Sequence, residues 1–187
     1  APVPLNEAGA AQSAQLGRYL AAHGPYFDTL YASPLLRAMQ TAQAIASAVK
    51  MPIVPEPRVV EVDLGDWQGL TRAEAEIWDT DRYAAYRAAM PHDPTPNGES
   101  WLAVRVRVRA AFDDLSQRHA GQTIALVSHG GTIGQLITSL FGEIKRPTLT
   151  NTSITLLARD TPESAWNLAR VAWTPHLNGG DSLGETW

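Results

Sequence analysis

The chain alternates between stretches with apolar residues at helical spacing and short apolar runs closed by turn residues. From Glu7 to about His23, Leu16 and Leu20 lie one turn apart, Asn6 is placed to cap the start and Gly24 closes the end, which predicts a helix. Thr29–Ala32 reads as a short buried strand stopped by Ser33-Pro34. Proline is favoured at the first position of a helix, so the next helix is expected from Leu35 to about Val49. Ile53-Val54 is a second short strand, and Val59-Val60-Glu61-Val62 either extends it or forms an ordered loop. Thr71-Arg72-Ala73-Glu74 fits a capping box and opens a further helix. Another covers Arg82 to Met90, and the prolines and glycine between Pro91 and Gly98 mark a loop.

Val104 to Arg109 alternates apolar and basic residues, which by itself would be a strand. The wider window overrides it: Trp101, Val104, Val108, Ala111, Phe112 and Leu115 recur at three- and four-residue steps and share one side of a helix, which Gly121 ends. Ile124–Val127 is wholly apolar, as in a strand buried on both faces. Ser128-His129-Gly130-Gly131 follows it, then a helix from Thr132 to Phe141. Two more strands are expected at Ile154–Ala158 and Leu168–Trp173, and a loose tail over Asn178–Trp187. Helices alternating with short apolar strands define an α/β chain with its sheet covered on both faces, a three-layer α/β/α sandwich. No long linker or internal repeat divides the 187 residues, so one domain is expected.

Composition narrows the chemistry. There is no cysteine, which excludes disulfides, thiolate catalysis and cysteine-held metal centres. A formal charge of −4 argues against a general nucleic-acid binder. No apolar run suggests a membrane span, and the opening APVPLNEAG lacks the basic and apolar regions of a signal peptide, so the cytoplasm is the expected location. The basic residues are thirteen arginines against two lysines, Lys50 and Lys145. The guanidinium fork suits carboxylate or phosphate, although codon bias in an Ala- and Arg-rich genome is the simpler account of the excess.

Ligands of such sheets bind beyond the carboxyl ends of the strands. Arg37 stands there, one turn into a helix whose N-terminus favours an anion. His129 stands at the end of another strand, beside glycines that let backbone approach a ligand closely. Glu61 lies among valines, where burial disfavours the charged form of a carboxyl, as a general acid requires. Asp63 and Asp66 compete for that role, and residue chemistry alone does not choose between them. His23, His92, His119 and His176 show no metal-ligand spacing, so no metal is expected. Trp67 and Trp78 are expected in the core.

Together these segments resemble the histidine phosphatase superfamily, with its phosphoglycerate mutase-like fold, from the first residues to about His176. The resemblance is carried by Pro4-Leu5-Asn6-Glu7-Ala8-Gly9 with Gln12, Ser33-Pro34-Leu35-Leu36-Arg37-Ala38 with Thr41-Ala42, Glu61 with Gly65 and Gly69, Gly98-Glu99-Ser100 with Arg107, and Val127-Ser128-His129-Gly130-Gly131. Gly134 stands where the family usually has an arginine. The resemblance implies a mostly parallel sheet and a two-step phosphoryl transfer through a phosphohistidine, without cofactor or metal. In it Arg37, His129 and Gly130 bind phosphate, His129 donates to the transferring group, and Glu61 protonates the leaving oxygen and then activates water. The expected partner is a small phosphorylated metabolite.

The family's nucleophilic histidine lies in an Arg-His-Gly tripeptide after a central first strand, ahead of the segment that begins at Pro4. No Arg-His-Gly occurs among these 187 residues. The expectation is therefore a longer natural protein whose preceding segment supplies that strand and the nucleophile. Three activities follow: a phosphomonoester hydrolase, a cofactor-dependent phosphoglycerate mutase, or an inactive phosphatase-like binding module. The short polar-aromatic stretch Asp66-Trp67-Gln68, with no basic residue before Arg72, favours the hydrolase.

Overall fold

The computed structural model of the chain describes residues 3–24, 26–145 and 147–177; the tail expected over Asn178–Trp187 lies outside them. Helix α1 spans Glu7–His23, and the Asn6 side chain accepts the Gly9 N–H at its start. Strand β1 is Thr29–Ala32 and helix α2 is Leu36–Val49. Leu35, not a residue within the helix, is the N-cap of α2, so Pro34 precedes the cap instead of filling the first turn. Strand β2 is Ile53–Pro55. Helices α3 (Arg72–Trp78, with the capping box formed) and α4 (Thr80–Ala89) follow. Helix α5 is Trp101–Arg118, strand β3 Ile124–Val127, helix α6 Gly130–Phe141, and strands β4 and β5 are Ile154–Ala158 and Asn167–Trp173.

Strands β2, β1 and β3 form a parallel sheet in that order, with Leu30 opposite Ile53 on one side and Ala125 on the other. Side chains alternate across it. Leu30, Ala125 and Val127 pack with Leu16, Tyr19, Leu20 and Ile45 of α1 and α2. Leu126 packs on the opposite face with Val108, Ala111 and Leu136 of α5 and α6. This is the three-layer sandwich. On the first face α1 and α2 come very close: a methyl group on Gly17 would lie 2.6 Å from the Ala44 carbonyl oxygen.

Strands β4 and β5 pair antiparallel with each other as a separate two-stranded sheet. Ile154 of β4 joins the core under α1 and α2, and Leu157 joins the core under α5 and α6. So β4 lies between the same two helical layers as β3, yet the two strands are not hydrogen-bonded. The consequence shows on β3. Its four apolar residues are only half-buried, where a strand buried on both faces was expected. Its faces are covered, but one edge lacks a strand partner among the described residues.

Val59–Val62 does not continue β2. After a short 3-10 turn at Pro57–Val59 it runs as an ordered loop, and four consecutive carbonyls accept side-chain donors: Arg58 and Glu61 from Arg107, Val59 from Ser128, Val60 from Thr132. Backbone acceptors must find donors, and here donors from α5, α6 and the end of β3 replace a strand ladder. The Pro91–Gly98 loop is tied to the chain beyond Glu61. The Pro96 carbonyl accepts from Asp66 N–H, Asn97 donates to the Asp66 carboxylate, and Thr95 is buried. Trp67 is in the core as expected, packed on Tyr83 and Tyr86; Trp78 is not, being 65% exposed at the end of α3, where Ile77 is also exposed.

Candidate active site

Parallel pairing brings the ends of β1 and β3 side by side, and the Ser33 N–H donates to the Val127 carbonyl oxygen. This carries Ser33 and His129 into contact: His129 Nε2 lies 2.8 Å from Ser33 Oγ, and both residues are buried. Arg37, in the first turn of α2 directly after Ser33-Pro34, is half-buried. Its guanidinium makes no ion pair or hydrogen bond with the described residues, whereas Arg58, Arg105, Arg107, Arg109 and Arg118 all face carboxylates. A half-buried cation without a counter-ion is poised for an external anion.

Burial, then the charge of Arg37 and that of Arg107, push the His129 imidazole down from 6.5 to about 4, against the pull of Glu61. At neutral pH the ring is uncharged. Protonation is disfavoured in the fold, so the stability tied to the neutral ring is present above 6.5 and lost as pH falls from 6.5 toward about 4. The slope is at most about 1.4 kcal/mol per pH unit. Thermal midpoints measured across that range should fall less steeply for His129→Gln than for the native protein; parallel curves would refute the assignment. His176, whose imidazole is also pushed down by burial, contributes a background common to both.

Glu61 is docked on the N-terminus of α6. Its Oε2 accepts the Gly131 N–H at 3.0 Å; its Oε1 accepts from Thr132 N–H and Thr132 Oγ at 3.1 Å each and from its own neighbour Val62 N–H at 3.0 Å. Exposed amides and the helix dipole favour an anion at this point. Oε1 has three donors and Oε2 one, so Oε2 keeps the spare capacity. Asp63 and Asp66 do not compete. Both are exposed; Asp63 caps the Gly65 N–H and Asp66 holds Asn97. Of the three carboxylates, Glu61 is the one that reaches the strand end bearing His129.

The two glycines after His129 differ. A methyl group on Gly131 would sit 2.6 Å from Glu61 Oε1 and 2.8 Å from the Trp101 ring, so only glycine allows both to close on the helix. One on Gly130 would meet nothing nearer than the Leu149 carbonyl at 3.9 Å. Gly130 is exposed, and a cavity of about 520 Å³ opens beside it, lined also by Thr138, Lys145, Thr148 and Leu149. The cavity touches the cluster only at Gly130.

Arg37, His129 and Glu61 thus converge, with Gly130 at the mouth. Ser33, Thr132, Gly131 and Trp101 complete the surroundings. Gly131 is one of the glycines singled out beside His129; the other three were not expected as site residues. Ser33 obeys the same strand-end rule as His129, and Thr132 and Trp101 carry no local signal. Among the described residues no group of histidine, aspartate and glutamate side chains has the arrangement of a metal site.

The parallel strand ends of this α/β sandwich bring together an arginine with no counter-ion among the described residues, a neutral histidine and a carboxylate, an arrangement suited to an anion. The chain belongs to the histidine phosphatase superfamily (branch 1), whose sequence model matches residues 1–174. It is 33% identical over 142 residues to the adenosylcobalamin/alpha-ribazole phosphatase of Escherichia coli K12, covering 76% of this chain and 69% of the relative. It is 30% identical over 139 residues to phosphoserine phosphatase 1 of Hydrogenobacter thermophilus, covering 74% and 64%. The chain thus spans about two thirds of the length of these curated relatives. The solved structure of Bacillus stearothermophilus YhfR superposes with a TM-score of 0.81 at 28% identity, over 92% of this chain and 86% of that one. No described helix is long and apolar enough to cross a membrane.

Proposed function

We propose that the protein is a phosphomonoester hydrolase that turns over a small phosphorylated metabolite through a phosphohistidine. The observation that carries this reading is the unpaired, half-buried Arg37 beside the neutral, Ser33-bound His129 at one rim of the sheet. Substrate phosphate brings Arg37 its missing counter-ion, and the guanidinium binds the phosphoryl oxygens with an N–H of His129 and the exposed Gly130 backbone alongside. Charge neutralisation and positioning supply most of the rate. An alkoxide leaves poorly without a proton, so Glu61 passes to the leaving oxygen, from Oε2, a proton taken up with the incoming phosphomonoester, and as the carboxylate so regenerated takes one from water in the second step. The names of the relatives, an adenosylcobalamin/alpha-ribazole phosphatase and a phosphoserine phosphatase, support a small-metabolite substrate.

The attacking histidine belongs, in this reading, to a segment ahead of residue 1. A strand of that segment would fill the lane between β3 and β4 and pair with both. What supports it is that these strands share the same two helical layers without pairing; each buried ladder group left unpaired costs about 1–3 kcal/mol. The intact mass of the protein from its source should exceed that of the 187 residues; a mass equal to theirs, in a cooperatively folding protein, overturns this part.

The full-length protein is tested by incubating it with a phosphomonoester and monophosphoglycerate together. Release of inorganic phosphate, abolished by Arg37→Ala and by His129→Ala, is expected. Phosphate appearing on the glycerate instead would make the protein a mutase. Turnover indifferent to both substitutions would refute the site, and no turnover at all would make it a binding module.

A further inference from the structure

Arg107 occupies a position that the reaction outlined above does not use. It lies on the half-buried side of α5, eight residues after Glu99. Its guanidinium grips the Glu99 carboxylate with both ends of the fork, Nε to Oε1 at 2.7 Å and Nη2 to Oε2 at 2.9 Å. Two further donors go to backbone: Nη1 to the Arg58 carbonyl at 2.9 Å and Nη2 to the Glu61 carbonyl at 3.3 Å. Glu99 in turn donates its own N–H to the Asp63 carbonyl at 2.8 Å. The pair therefore holds the chain on both sides of Glu61, from residue 58 to residue 63.

That chain has no strand ladder to fix it. Where Glu61 presents its carboxyl is set from two directions: α6 holds the side chain through Gly131 and Thr132, and α5 holds the backbone through Arg107. We propose that Arg107, aimed by Glu99, is a positioning residue for Glu61, and that its bidentate fork, more than its charge, keeps that carboxyl in reach of the leaving oxygen. This rests on the reading of Glu61 as proton donor. A misplacement of about 1 Å from a change away from the chemistry costs up to about 100-fold, and lysine, with the charge but not the planar fork, cannot hold two carboxylate oxygens and two carbonyls together.

The test uses leaving-group dependence. p-Nitrophenolate departs without a proton and an alkoxide does not, so in kcat/KM, which reports the steps up to departure of the leaving group and not the later attack of water, a residue that places the acid matters only for the second. In the full-length protein, Arg107→Gln should lower kcat/KM on glycerol phosphate about 30-fold and on p-nitrophenyl phosphate less than about threefold. Arg107→Lys should behave like Arg107→Gln. Equal losses on both substrates, or full activity in Arg107→Lys, overturn the proposal. Glu61→Gln is run beside them. If it too shows no contrast between the substrates, the acid role of Glu61 fails. If Glu61→Gln shows the contrast and Arg107→Gln does not, only the positioning role fails. Should Arg107→Gln not fold, the isosteric Glu99→Gln, which weakens the grip on the guanidinium, takes its place: a contrast between the substrates supports the positioning role, and equal losses overturn it.

Discussion

Arg37→Ala should lower kcat/KM for a phosphomonoester by about a thousandfold while leaving the fold as stable as before or slightly more so. The two effects have opposite signs for one reason. In the unliganded protein the guanidinium is half-buried, meets no carboxylate, and is the leading charge that disfavours protonation of His129. Removing it breaks no ion pair and takes a half-buried cation without a counter-ion out of the fold, so the thermal midpoint should hold or rise by up to about 2 °C. In the liganded protein it is the cation facing the phosphoryl group, and a positioned arginine in phosphoryl transfer contributes about 10³–10⁵ in rate. Arg37→Lys should regain only part of the loss, since a point charge cannot reproduce two parallel N–H donors. Inorganic phosphate binding, followed by calorimetry, should weaken in step. A fall in thermal midpoint with activity retained would reverse the assignment and make Arg37 a structural residue.

The strand-end residues were readable from the chain because apolar runs fix where strands stop. Thr29–Ala32 and Ile124–Val127 end where the sequence ends them, and Arg37 and His129 follow at once. Helix α5 was readable for a related reason. The alternation from Val104 to Arg109 covers six residues, but Val104, Val108, Ala111 and Leu115 extend helical spacing across twelve, and they are the buried residues of the helix. What local pattern cannot show is a donor supplied from far away. Val59–Val62 looks like strand because its valines say so, yet its carbonyls are satisfied by Arg107, Ser128 and Thr132. Local pattern also puts the start of α6 at Thr132, because His129-Gly130-Gly131 is poor helix material. In the folded chain the helix begins at Gly130, since Glu61, seventy residues earlier, satisfies the amides of its first turn. The exposed Trp78 misled for the opposite reason: size and apolarity argue for burial, but α3 is a short helix that buries only Ala75.

Gly131→Ala should cost about a hundredfold in kcat/KM for an alkyl phosphate with only a small change in stability, and Gly130→Ala should hold the thermal midpoint or raise it slightly. Three terms decide this. Alanine in a helix is favoured over glycine by about 1 kcal/mol. Against it stands overpacking, since the new methyl would lie 2.6 Å from Glu61 Oε1 and 2.8 and 2.9 Å from two carbons of the Trp101 ring; crowding of this kind costs about 1–3 kcal/mol. Neither neighbour is backbone, so relief comes from side-chain movement, and the cheaper movement is that of the carboxylate. Trp101 is held by its Nε1–H donating to Tyr86 Oη at 2.8 Å and sits at the start of α5. The net loss of stability is therefore about 0–2 kcal/mol, while the displaced carboxylate loses its hold on the amides of Gly131 and Thr132 and its reach to the leaving oxygen. The signature is again substrate-dependent: the loss of kcat/KM on an alkyl phosphate should far exceed the loss on p-nitrophenyl phosphate. Gly130, one residue earlier on the same helix, has 3.9 Å of clearance, so the pair separates crowding at Glu61 from any general intolerance of side chains at this helix start. If both alanine variants lose the same activity and the same stability, close packing around Glu61 is not what requires glycine at 131.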